Sequence, residues 1–494
     1  MAPINSTGIL ENFWPITREM DLSQPTRHDA IALQDAFAAS RKAYERERMP
    51  DSAARRDALT RLETLLTANA AAIEAAICAD FGNRSAHETR LLELFPALAA
   101  VRDARSHVKS WMKSKRFWAS TWFLPARNEI RPQPLGVVGI IVPWNYPVLL
   151  AVAPLAGALA AGNRVLIKMS ELTPKTSDLF AGLIARHFPP EQVTVINGGV
   201  DVAREFAGLP FDHLLFTGST SVGKQVMRAA ADNLTPVTLE LGGKSPAIVG
   251  PECRIDEAAE KIMFGKCLNA GQTCIAPDYV LLPRAQEQSF ALAAQRAVAA
   301  LYPTLARNAD YTSIVNARHL ERLNGYLDDA AERGASVLPI SPAGESLDGT
   351  GKMAPTLVAN VNSDMRVMQD EIFGPILPLV PYDNLDEAIR YVNARPRPLA
   401  LYYFGNFDDH IQHVLNQTIA GGVTVNDTIL HISQEGLPFG GVGPSGMGAY
   451  HGKQGFATFS KMKPIFHQSP VNGLGLFKPP FGKRFDALIK LLLR

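Results

Sequence analysis

The sequence predicts an α/β protein that contains two successive parallel-sheet units. Three observations lead to this prediction. Helical periodicity fills residues 29–116, short apolar runs alternate with helical stretches from Gly136 onward, and the same alternation resumes after Lys244. The chain has 494 residues, of which 47% are hydrophobic, so it is long enough to form two or three domains with large cores.

The first part of the chain is predicted to be helical and to end in a hairpin. Within residues 29–116, apolar side chains recur at helical spacing: Leu59, Leu62, Leu65, Leu66, Ile73 and Ile77. Residues 116–135 differ, because Phe117, Trp118, Trp122 and Phe123 stand among polar residues and two prolines follow them. This tract is predicted to be an extended hairpin that leaves the main body to meet another subunit.

The first parallel-sheet unit has the pattern of a nucleotide-binding fold. Its predicted buried strands are residues 137–142, 164–168, 192–196 and 213–216, with helices over 147–161 and 175–187. This alternation is typical of a doubly wound sheet. In the second unit, the predicted strands are residues 247–249, 279–282, 378–380 and 399–404, and the predicted helices are 256–269, 286–301 and 386–393.

Composition excludes several classes of protein. Lys plus Arg number 49 and Asp plus Glu number 48, which argues against a nucleic-acid partner. Four cysteines without a CxxC pair argue against a zinc site or a disulfide framework and favour a reducing compartment. The N-terminus lacks the pattern of a secretory signal, and no apolar window reaches 18 residues. We therefore expect a cytoplasmic protein without a metal site.

Cys274 and Glu240 are the first candidate catalytic pair. Cys274 lies among small, loop-forming residues, and Glu240 ends an apolar run just before Gly242 and Gly243. A thiol that attacks a carbonyl needs a lowered pKa, and a carboxylate can later activate the water that releases the product. The alternatives are a buried small cysteine and a glutamate in a surface turn. Cys267, within a predicted helix, fits the buried interpretation better.

Three further features lie at predicted strand ends. Asn145 stands between two prolines, where its amide can donate to an oxyanion or cap the next helix. The segment Gly218 to Gly223 precedes a predicted helix over 224–231, so it can approach a pyrophosphate or form a plain tight turn. Lys168 and Glu171 can bind ribose hydroxyls or can simply be solvated.

In this order, the motifs resemble the aldehyde dehydrogenase superfamily from about Leu59 to Pro464. The matching segments are Pro143-Trp144-Asn145-Tyr146-Pro147, Phe216-Thr217-Gly218-Ser219-Thr220, Leu239-Glu240-Leu241-Gly242-Gly243-Lys244, Gly271-Gln272-Thr273-Cys274, Glu371-Ile372-Phe373-Gly374-Pro375 and Pro438-Phe439-Gly440-Gly441-Val442-Gly443-Pro444-Ser445-Gly446. Further details, such as Tyr450-His451-Gly452-Lys453, look like the class 3 branch, which holds aromatic, fatty and coniferyl aldehyde dehydrogenases. Met169 departs from the more familiar proline of that branch.

The resemblance implies a role for each matching residue. Cys274 is then the nucleophile and Glu240 the base, while Asn145 and the Cys274 N–H stabilise the oxyanion. The implied cofactor is NAD, with NADP as the alternative. The residues implied to bind it are Trp144, Lys168, Glu171, Thr217, Gly218, Ser219, Gly223, Leu241, Glu371 and Phe373.

The resemblance also implies an aldehyde dehydrogenase-like fold with three parts. These are a Rossmann-type NAD-binding domain (1–115 and 136–242), an α/β catalytic domain (243–433), and an oligomerisation hairpin with a C-terminal tail (116–135 and 434–494). The implied reaction oxidises an aldehyde to a carboxylic acid through a thiohemiacetal and a thioester. The alternatives are a CoA-acylating dehydrogenase, which Glu240 argues against, and a non-catalytic binding protein.

Substrate and partners are predicted in less detail. Aromatic, coniferyl-type or medium- to long-chain aldehydes fit the branch, and Trp144, Tyr146, Phe95 and Trp118 are candidates for an apolar entrance. A homodimer is expected. The tail, residues 481–494, mixes apolar and basic side chains. It is predicted to be a helix that docks on the body, with contact to a membrane surface as the alternative.

Overall fold

The computed structural model describes residues 27–493, so residues 1–26 of the predicted NAD-binding domain lie outside the described residues. The α-helices are α1 (Arg27–Arg46), α2 (Ser52–Ala68), α3 (Ala70–Phe81), α4 (Ala86–Thr89), α5 (Phe95–Trp111), α6 (Leu149–Ala161), α7 (Pro174–His187), α8 (Val200–Ala207), α9 (Thr220–Ala231), α10 (Ile255–Cys267), α11 (Glu287–Leu301), α12 (Ala317–Glu332), α13 (Arg366–Gln369), α14 (Leu385–Asn393), α15 (Asp408–Gln417), α16 (Gly452–Thr458) and α17 (Lys483–Leu492). Shorter helical turns are Arg90–Leu94, which is a π turn, and the 3₁₀ turns Thr121–Phe123, Leu268–Gly271, Arg284–Gln286, Leu430–Ser433 and Leu474–Phe477.

The strands form three sheets. They are β1 (Lys115–Trp118), β2 (Arg127–Pro134), β3 (Val137–Ile141), β4 (Arg164–Lys168), β5 (Val193–Ile196), β6 (His213–Thr217), β7 (Val237–Glu240), β8 (Pro246–Val249), β9 (Tyr279–Pro283), β10 (Ser336–Pro339), β11 (Thr356–Ala359), β12 (Ile376–Tyr382), β13 (Ala400–Phe404), β14 (Gly422–Val425), β15 (Gly446–Met447) and β16 (Ser460–His467). The predicted α/β class and the order of strands and helices are confirmed.

The first sheet has six strands in the order β15-β7-β6-β3-β4-β5, and all of them except β15 run parallel. Every residue of β3 and β6 is buried, as expected for strands covered by helices on both faces. The chain builds outward from β3 through β4 to β5 and then returns to β6 on the other side. This reversal creates a crevice beyond the carboxyl ends of β3 and β6, where ligands bind in such sheets.

The second sheet has seven strands in the order β10-β11-β12-β9-β8-β13-β14, and only β10 is antiparallel to its neighbour. A third, antiparallel sheet consists of β1, β2 and β16. The predicted hairpin is therefore confirmed as β1 and β2. The sequence did not predict β16, whose eight residues pair with all of β2.

Helix α6 packs against β3 and β4 of the first sheet, helices α2 and α5 pack on α6, and α3 packs on α7. The six apolar residues that predicted the helical face between Leu59 and Ile77 are at most 1% exposed. Helix α6 is apolar on all sides and almost entirely buried, including Pro154 inside it. The core of this half is thus continuous from the sheet to the outer helices.

The C-terminal tail differs from the prediction that it docks on the body. It does form a helix, α17, but none of the side chains of this helix is buried. Its Phe485 packs on Phe477 and Phe481 of the same segment. The element that α17 mainly contacts is the turn Leu474–Phe477 of the same segment.

Within residues 27–493, no single helix combines the length and the apolar composition needed to cross a membrane. Helices α2 and α3 meet that test only together, as a pair bent by 66°.

We predict that removal of residues 483–494 changes the melting temperature by less than about 2 °C, because the truncation removes no buried side chain. Differential scanning fluorimetry measures this change. The control is Phe459→Ala, since Phe459 is fully buried and such a truncation costs about 3–5 kcal/mol. A truncated chain that melts as early as the control would show that α17 docks on the body after all.

Candidate active site

The candidate site lies between the two parallel sheets. The first sheet contributes the carboxyl ends of β3, β6 and β7, which lead into Asn145, Gly218 and Leu241. The second sheet contributes amino ends, because Cys274 precedes β9 and Glu371 precedes β12. Opposite ends of the two sheets therefore face one crevice.

A buried arginine fixes the loop that carries Asn145. Arg84 donates from Nη1 to the main-chain carbonyl of Asn145 at 2.7 Å and lies 3.2 Å from Glu93 Oε1. Its guanidinium also stacks on the ring of Tyr146 at 4.8 Å. Glu93 accepts from the N–H of Val148 at 2.7 Å, at the start of α6. The helix is thus capped by Glu93, and Asn145 is not its cap.

The loop before Cys274 is held by a second set of buried bonds. Asn269 donates through Nδ2 to the carbonyls of both Asn145 and Gln272, at 3.2 and 3.1 Å. The backbone N–H of Asn269 donates to the buried carboxylate of Glu88. Asn269, Ala270 and Gly271 all have φ between 50° and 73°, a left-handed turn that only such tight restraint maintains in residues with a side chain.

Direct bonds join the two loops. Asn145 Nδ2 donates to the carbonyl of Gln272 at 3.2 Å, and the Tyr146 hydroxyl lies 2.6 Å from Thr273 Oγ1. The Asn145 amino group carries two hydrogens, so one of them remains free to donate to a substrate oxygen. The structure therefore brings Asn145 beside the residues that precede Cys274, as the oxyanion hypothesis requires.

Cys274 is half-buried, and its environment differs from the sequence-based expectation. Burial first, and then the charges of Glu371 and Glu240, raise the pKa of the thiol to about 12. The structure therefore shows the opposite of the expected lowering of this pKa. Backbone N–H groups of Cys274 and Ile275 oppose the shift by pointing at the sulfur. The thiol needs a base, or a bound positive charge, before it can attack.

Glu240 is the carboxylate that the sequence predicts to be the general base. It ends β7, is 2% exposed, and neither of its carboxyl oxygens has a hydrogen-bond partner. Burial raises its pKa well above the ordinary value. Because the carboxyl group is buried, the alternative of a glutamate in a surface turn is excluded. A buried carboxyl group without a hydrogen-bond partner reduces the stability of the protein. A raised pKa makes Glu240 a stronger proton acceptor, which suits a general base.

Cys274 and Glu240 line the same cavity. Its walls are mainly apolar, with Leu92, Leu149 and Ile432 among them. Of the four aromatic residues expected at an apolar entrance, only Tyr146 lines it. Phe95 and Trp118 are 63% and 68% exposed and Trp144 packs on Phe373, so their place at an entrance stays a prediction.

Glu371 occupies a pocket that glycine makes possible. A side chain on Gly242 would collide with the carboxylate of Glu371, and the Gly243 N–H donates to that carboxylate. Oε1 of Glu371 is buried and has no partner, and burial raises the pKa of the group to about 8. A ribose hydroxyl is the kind of donor that this oxygen lacks, so the site fits a nucleotide cofactor.

Lys168 and Glu171 stand at the end of β4. Lys168 is buried, donates through Nζ to the carbonyl of Met169 at 2.6 Å, and lies 3.7 Å from the Glu171 carboxylate. Glu171 is exposed at the rim. A buried ammonium beside an exposed carboxylate presents a donor and an acceptor together, which matches a ribose diol.

The turn after β6 is shorter than the sequence predicts. Thr217 ends β6, Gly218 donates its N–H to the Glu240 carbonyl at 3.0 Å, and Ser219 caps α9 by accepting from Val222. The helix thus begins at Thr220 and not at residue 224. Gly223 does not shape the turn, because it lies inside α9.

The absence of a side chain at Gly223 has a packing cause. A Cβ there would meet the side chain of Leu241, which is itself buried and donates its N–H to the carbonyl of Ser445. The exposed first turn of α9 follows Ser219 and carries free N–H groups, an arrangement that favours phosphate.

Trp144 and Phe373 form an aromatic contact on the opposite side of the crevice. Their ring centroids are 5.3 Å apart and nearly perpendicular. Phe373 has φ +50°, a strained value for an aromatic residue, and its neighbour Glu371 faces Gly242. Of the ten predicted cofactor residues, Thr217 and Leu241 line the cavity beside Cys274.

Sequence reasoning missed the buried charges that position the site. Arg84, Glu88 and Glu93 lie in the predicted helical region and carry no motif, although charged residues in an apolar helix face were a usable signal. Glu435 and His451 also line the cavity without an assigned role. His451 stands in a segment that carried the family resemblance, but nothing in that segment indicated the cavity.

Comparison with known proteins identifies related chains. Residues 5–465 match a profile described as "Aldehyde dehydrogenase family". The chain is 53% identical to a protein from Pseudomonas aeruginosa named "Probable coniferyl aldehyde dehydrogenase", covering 95% of this chain and 98% of that one. It is 48% identical to "Coniferyl aldehyde dehydrogenase" from Pseudomonas sp. strain HR199, covering 94% and 97%.

Solved structures have the same fold. A structure titled "Substrate bound state of Staphylococcus Aureus AldH" superimposes with a TM-score of 0.88 at 38% identity, covering 94% of this chain and 99% of that chain. A Mycobacterium tuberculosis aldehyde dehydrogenase complexed with NAD+ superimposes with a TM-score of 0.81 at 27% identity, covering 90% and 91%.

We predict that alkylation of Cys274 by iodoacetamide in the ligand-free protein rises about tenfold per pH unit between pH 7 and pH 10. Below a pKa of about 12, each pH unit increases the thiolate fraction by that factor. Peptide mass spectrometry measures the rate at each cysteine, and Cys274→Ser identifies the site. A rate that levels off below pH 8 would show that the thiol is already activated in the empty site.

We predict that Arg84→Met destabilises the protein by about 3–5 kcal/mol, because Glu93 keeps its buried position without its cation. Chemical denaturation measures the free energy of unfolding. Arg84→Met combined with Glu93→Gln should recover part of this loss, since the amide still accepts from the start of α6. If the double variant is no more stable than Arg84→Met, the loss does not come from the uncompensated Glu93.

Proposed function

The chain belongs to the aldehyde dehydrogenase family, and from that premise we propose that it oxidises aromatic aldehydes of the coniferyl type to carboxylic acids, with NAD+ as the cofactor. The two Pseudomonas relatives, which span nearly the whole chain, support the substrate class by their names. The apolar cavity beside Cys274 supports it physically, because a ring and a conjugated side chain need such walls. The medium- and long-chain aldehydes of the sequence-based prediction remain substrates to compare.

One observation carries the proposal. Cys274 and Glu240, from different sheets, line the same apolar cavity, and the Asn145 amide is bonded to the loop of Cys274. Cys274 and Glu240 thus share a cavity, and Asn145 is held beside it by its hydrogen bond to the carbonyl of Gln272. We assign these three roles to Cys274, Glu240 and Asn145.

In the first half of the reaction, the Cys274 sulfur attacks the aldehyde carbon. The thiol proton passes to solvent, and the carbonyl π electrons move onto oxygen. The free N–H of Asn145 and the Cys274 N–H stabilise this oxyanion, and the product of the step is a thiohemiacetal.

The cofactor supplies an acceptor for the hydride that leaves the substrate carbon as the thiohemiacetal becomes a thioester. We assign its ribose contacts to Lys168, Glu171 and Glu371, and its phosphate contacts to the turn after β6 with Ser219. Glu171 lies where a 2′-phosphate would be repelled, which favours NAD+ over NADP+.

In the second half, Glu240 takes a proton from water. The resulting hydroxide attacks the thioester carbon, the C–S bond breaks, and the carboxylic acid leaves as Cys274 regains its proton. A CoA-acylating enzyme would pass the acyl group to a thiol and would need no such base. The buried, unpartnered Glu240 therefore favours hydrolysis.

We also propose a cytoplasmic homodimer, with the three parts of the chain divided as the sequence predicts. The structure differs from this division in one respect. Residues 434–459, which the sequence assigns to the third part, include β15, and β15 pairs with β7 in the first sheet. The exposed strand β1 and the exposed rings of Trp118 and Trp122 support a subunit contact at the third sheet.

The function is tested by NADH absorbance with coniferaldehyde, benzaldehyde and hexanal, each with NAD+ or NADP+ and with or without CoA. We expect coniferaldehyde to give the highest kcat/KM, without a requirement for CoA. Cys274→Ser should bind NAD+ and show no turnover. Turnover that requires CoA would replace the proposal by acyl-CoA synthesis, and turnover in Cys274→Ser would contradict the nucleophile.

We predict that Glu240→Gln forms the thioester and then stalls. One NADH per active site should appear rapidly, followed by a steady-state rate lowered about 10²- to 10⁴-fold, because a general base contributes that factor. Stopped-flow absorbance and intact-protein mass spectrometry detect the burst and the acyl adduct. Glu205→Gln, exposed on α8, is the matched control. An unchanged steady-state rate in Glu240→Gln would mean that another base acts.

A further inference from the structure

The cavity beside Cys274 has a polar region that the proposed mechanism does not use. Glu435 and His451 line the large cavity together with an adjoining cavity of about 290 Å³. Cys274 and Glu240 line only the large one. Glu435 and His451 therefore stand where the two cavities meet.

Both side chains hold a buried atom without a hydrogen-bond partner. These atoms are Oε2 of Glu435 and Nδ1 of His451. The Gly452 N–H donates to the Glu435 carboxyl group, so one side of this group is held in place while Oε2 remains free. Buried polar atoms are nearly always paired in folded proteins. Two unpaired atoms on residues that line the same cavity indicate a ligand group that bonds to them.

The backbone of His451 supports this view. Its φ is +109° and its ψ is 139°, a region that L-residues with a side chain rarely adopt. A glycine in place of His451 would adopt these angles without strain, but it would have no imidazole side chain to line the cavity. The ring is stacked on Phe439, with centroids 5.3 Å apart, and meets Tyr450 edge-on at 4.7 Å. Its position is therefore fixed by packing.

The chemistry of the pair selects a neutral hydroxyl. Burial lowers the pKa of His451 to about 4, so its imidazole is uncharged at neutral pH. Burial and the charge of Asp103 raise the pKa of Glu435 to about 7, which allows the carboxyl group both to accept and to donate. A phenol offers one donor and one acceptor on an apolar ring, and it matches both the pair and the apolar walls.

We propose that Glu435 and His451 are a recognition site for the ring hydroxyl of a phenolic aldehyde whose carbonyl is at Cys274. This inference rests on the proposed function and extends it, because it assigns substrate selection to named residues. The enzyme should then prefer 4-hydroxycinnamaldehyde to cinnamaldehyde and to 4-methoxycinnamaldehyde. The methyl ether keeps the ring but has no hydroxyl proton to donate.

The test compares kcat/KM for these three aldehydes in the wild type, Glu435→Leu and Glu435→Gln. In the wild type, the ratio of the hydroxylated to the unsubstituted aldehyde should be at least about tenfold, since a site built to bond a hydroxyl discriminates against its absence. Glu435→Leu should bring that ratio close to one, and Glu435→Gln should retain part of it through its amide oxygen. Glu205→Gln should keep the wild-type ratio.

The wild-type series keeps the test decisive even if Glu435→Leu fails to fold. Equal kcat/KM for all three aldehydes in the wild type would overturn the recognition site while the proposed function stands. A ratio that survives in Glu435→Leu would also overturn it. If the wild type oxidises none of the three, the proposed function fails, and the inference fails with it.

Discussion

The main-chain carbonyl of Asn145 is the point on which the site depends. It accepts from Arg84 of the outer helical layer and from Asn269 of the second sheet's loop, while the Asn145 side chain donates to Gln272. Three parts of the chain that are far apart in sequence therefore meet at one residue. Because these bonds are buried, loss of any one leaves a polar group unpaired, and the two loops cannot move independently.

This tie explains how two sheets can share one active site. The first sheet brings its carboxyl ends and the second its amino ends, so neither could build the site alone. The arrangement also explains why the site tolerates unpartnered groups. Glu240, Glu371, Glu435 and His451 each keep a buried polar atom without a partner, and the cores of both sheets hold them in place. Such groups reduce stability and are available to ligands.

Much of the fold and part of the site could be predicted from the sequence. Apolar runs such as β3 and the helical spacing between Leu59 and Ile77 report local structure directly, because periodicity follows from burial. Cys274 and Glu240 stood out because they lie in short motifs. Arg84 did not, since its importance arises from contacts 61 residues away along the chain.

The errors have physical causes of the same kind. Gly223 was predicted to form a turn because glycine often does, but it is needed inside α9 to make room for Leu241. The pKa of Cys274 was expected to be low because its chemistry requires a thiolate, but burial of the thiol dominates and raises its pKa. The tail has an amphipathic pattern that predicted docking, and a pattern alone does not supply a groove to receive it.

The most direct test of the account is a crystal structure of Glu240→Gln trapped as the acyl-enzyme. We expect the thioester on Cys274 with its carbonyl oxygen about 3 Å from Asn145 Nδ2 and from the Cys274 backbone nitrogen. Asn145 should still be tied to Arg84 and Gln272. A thioester oxygen that points away from Asn145, or an acyl group on another residue, would contradict the claim that the two loops converge to form one catalytic pocket.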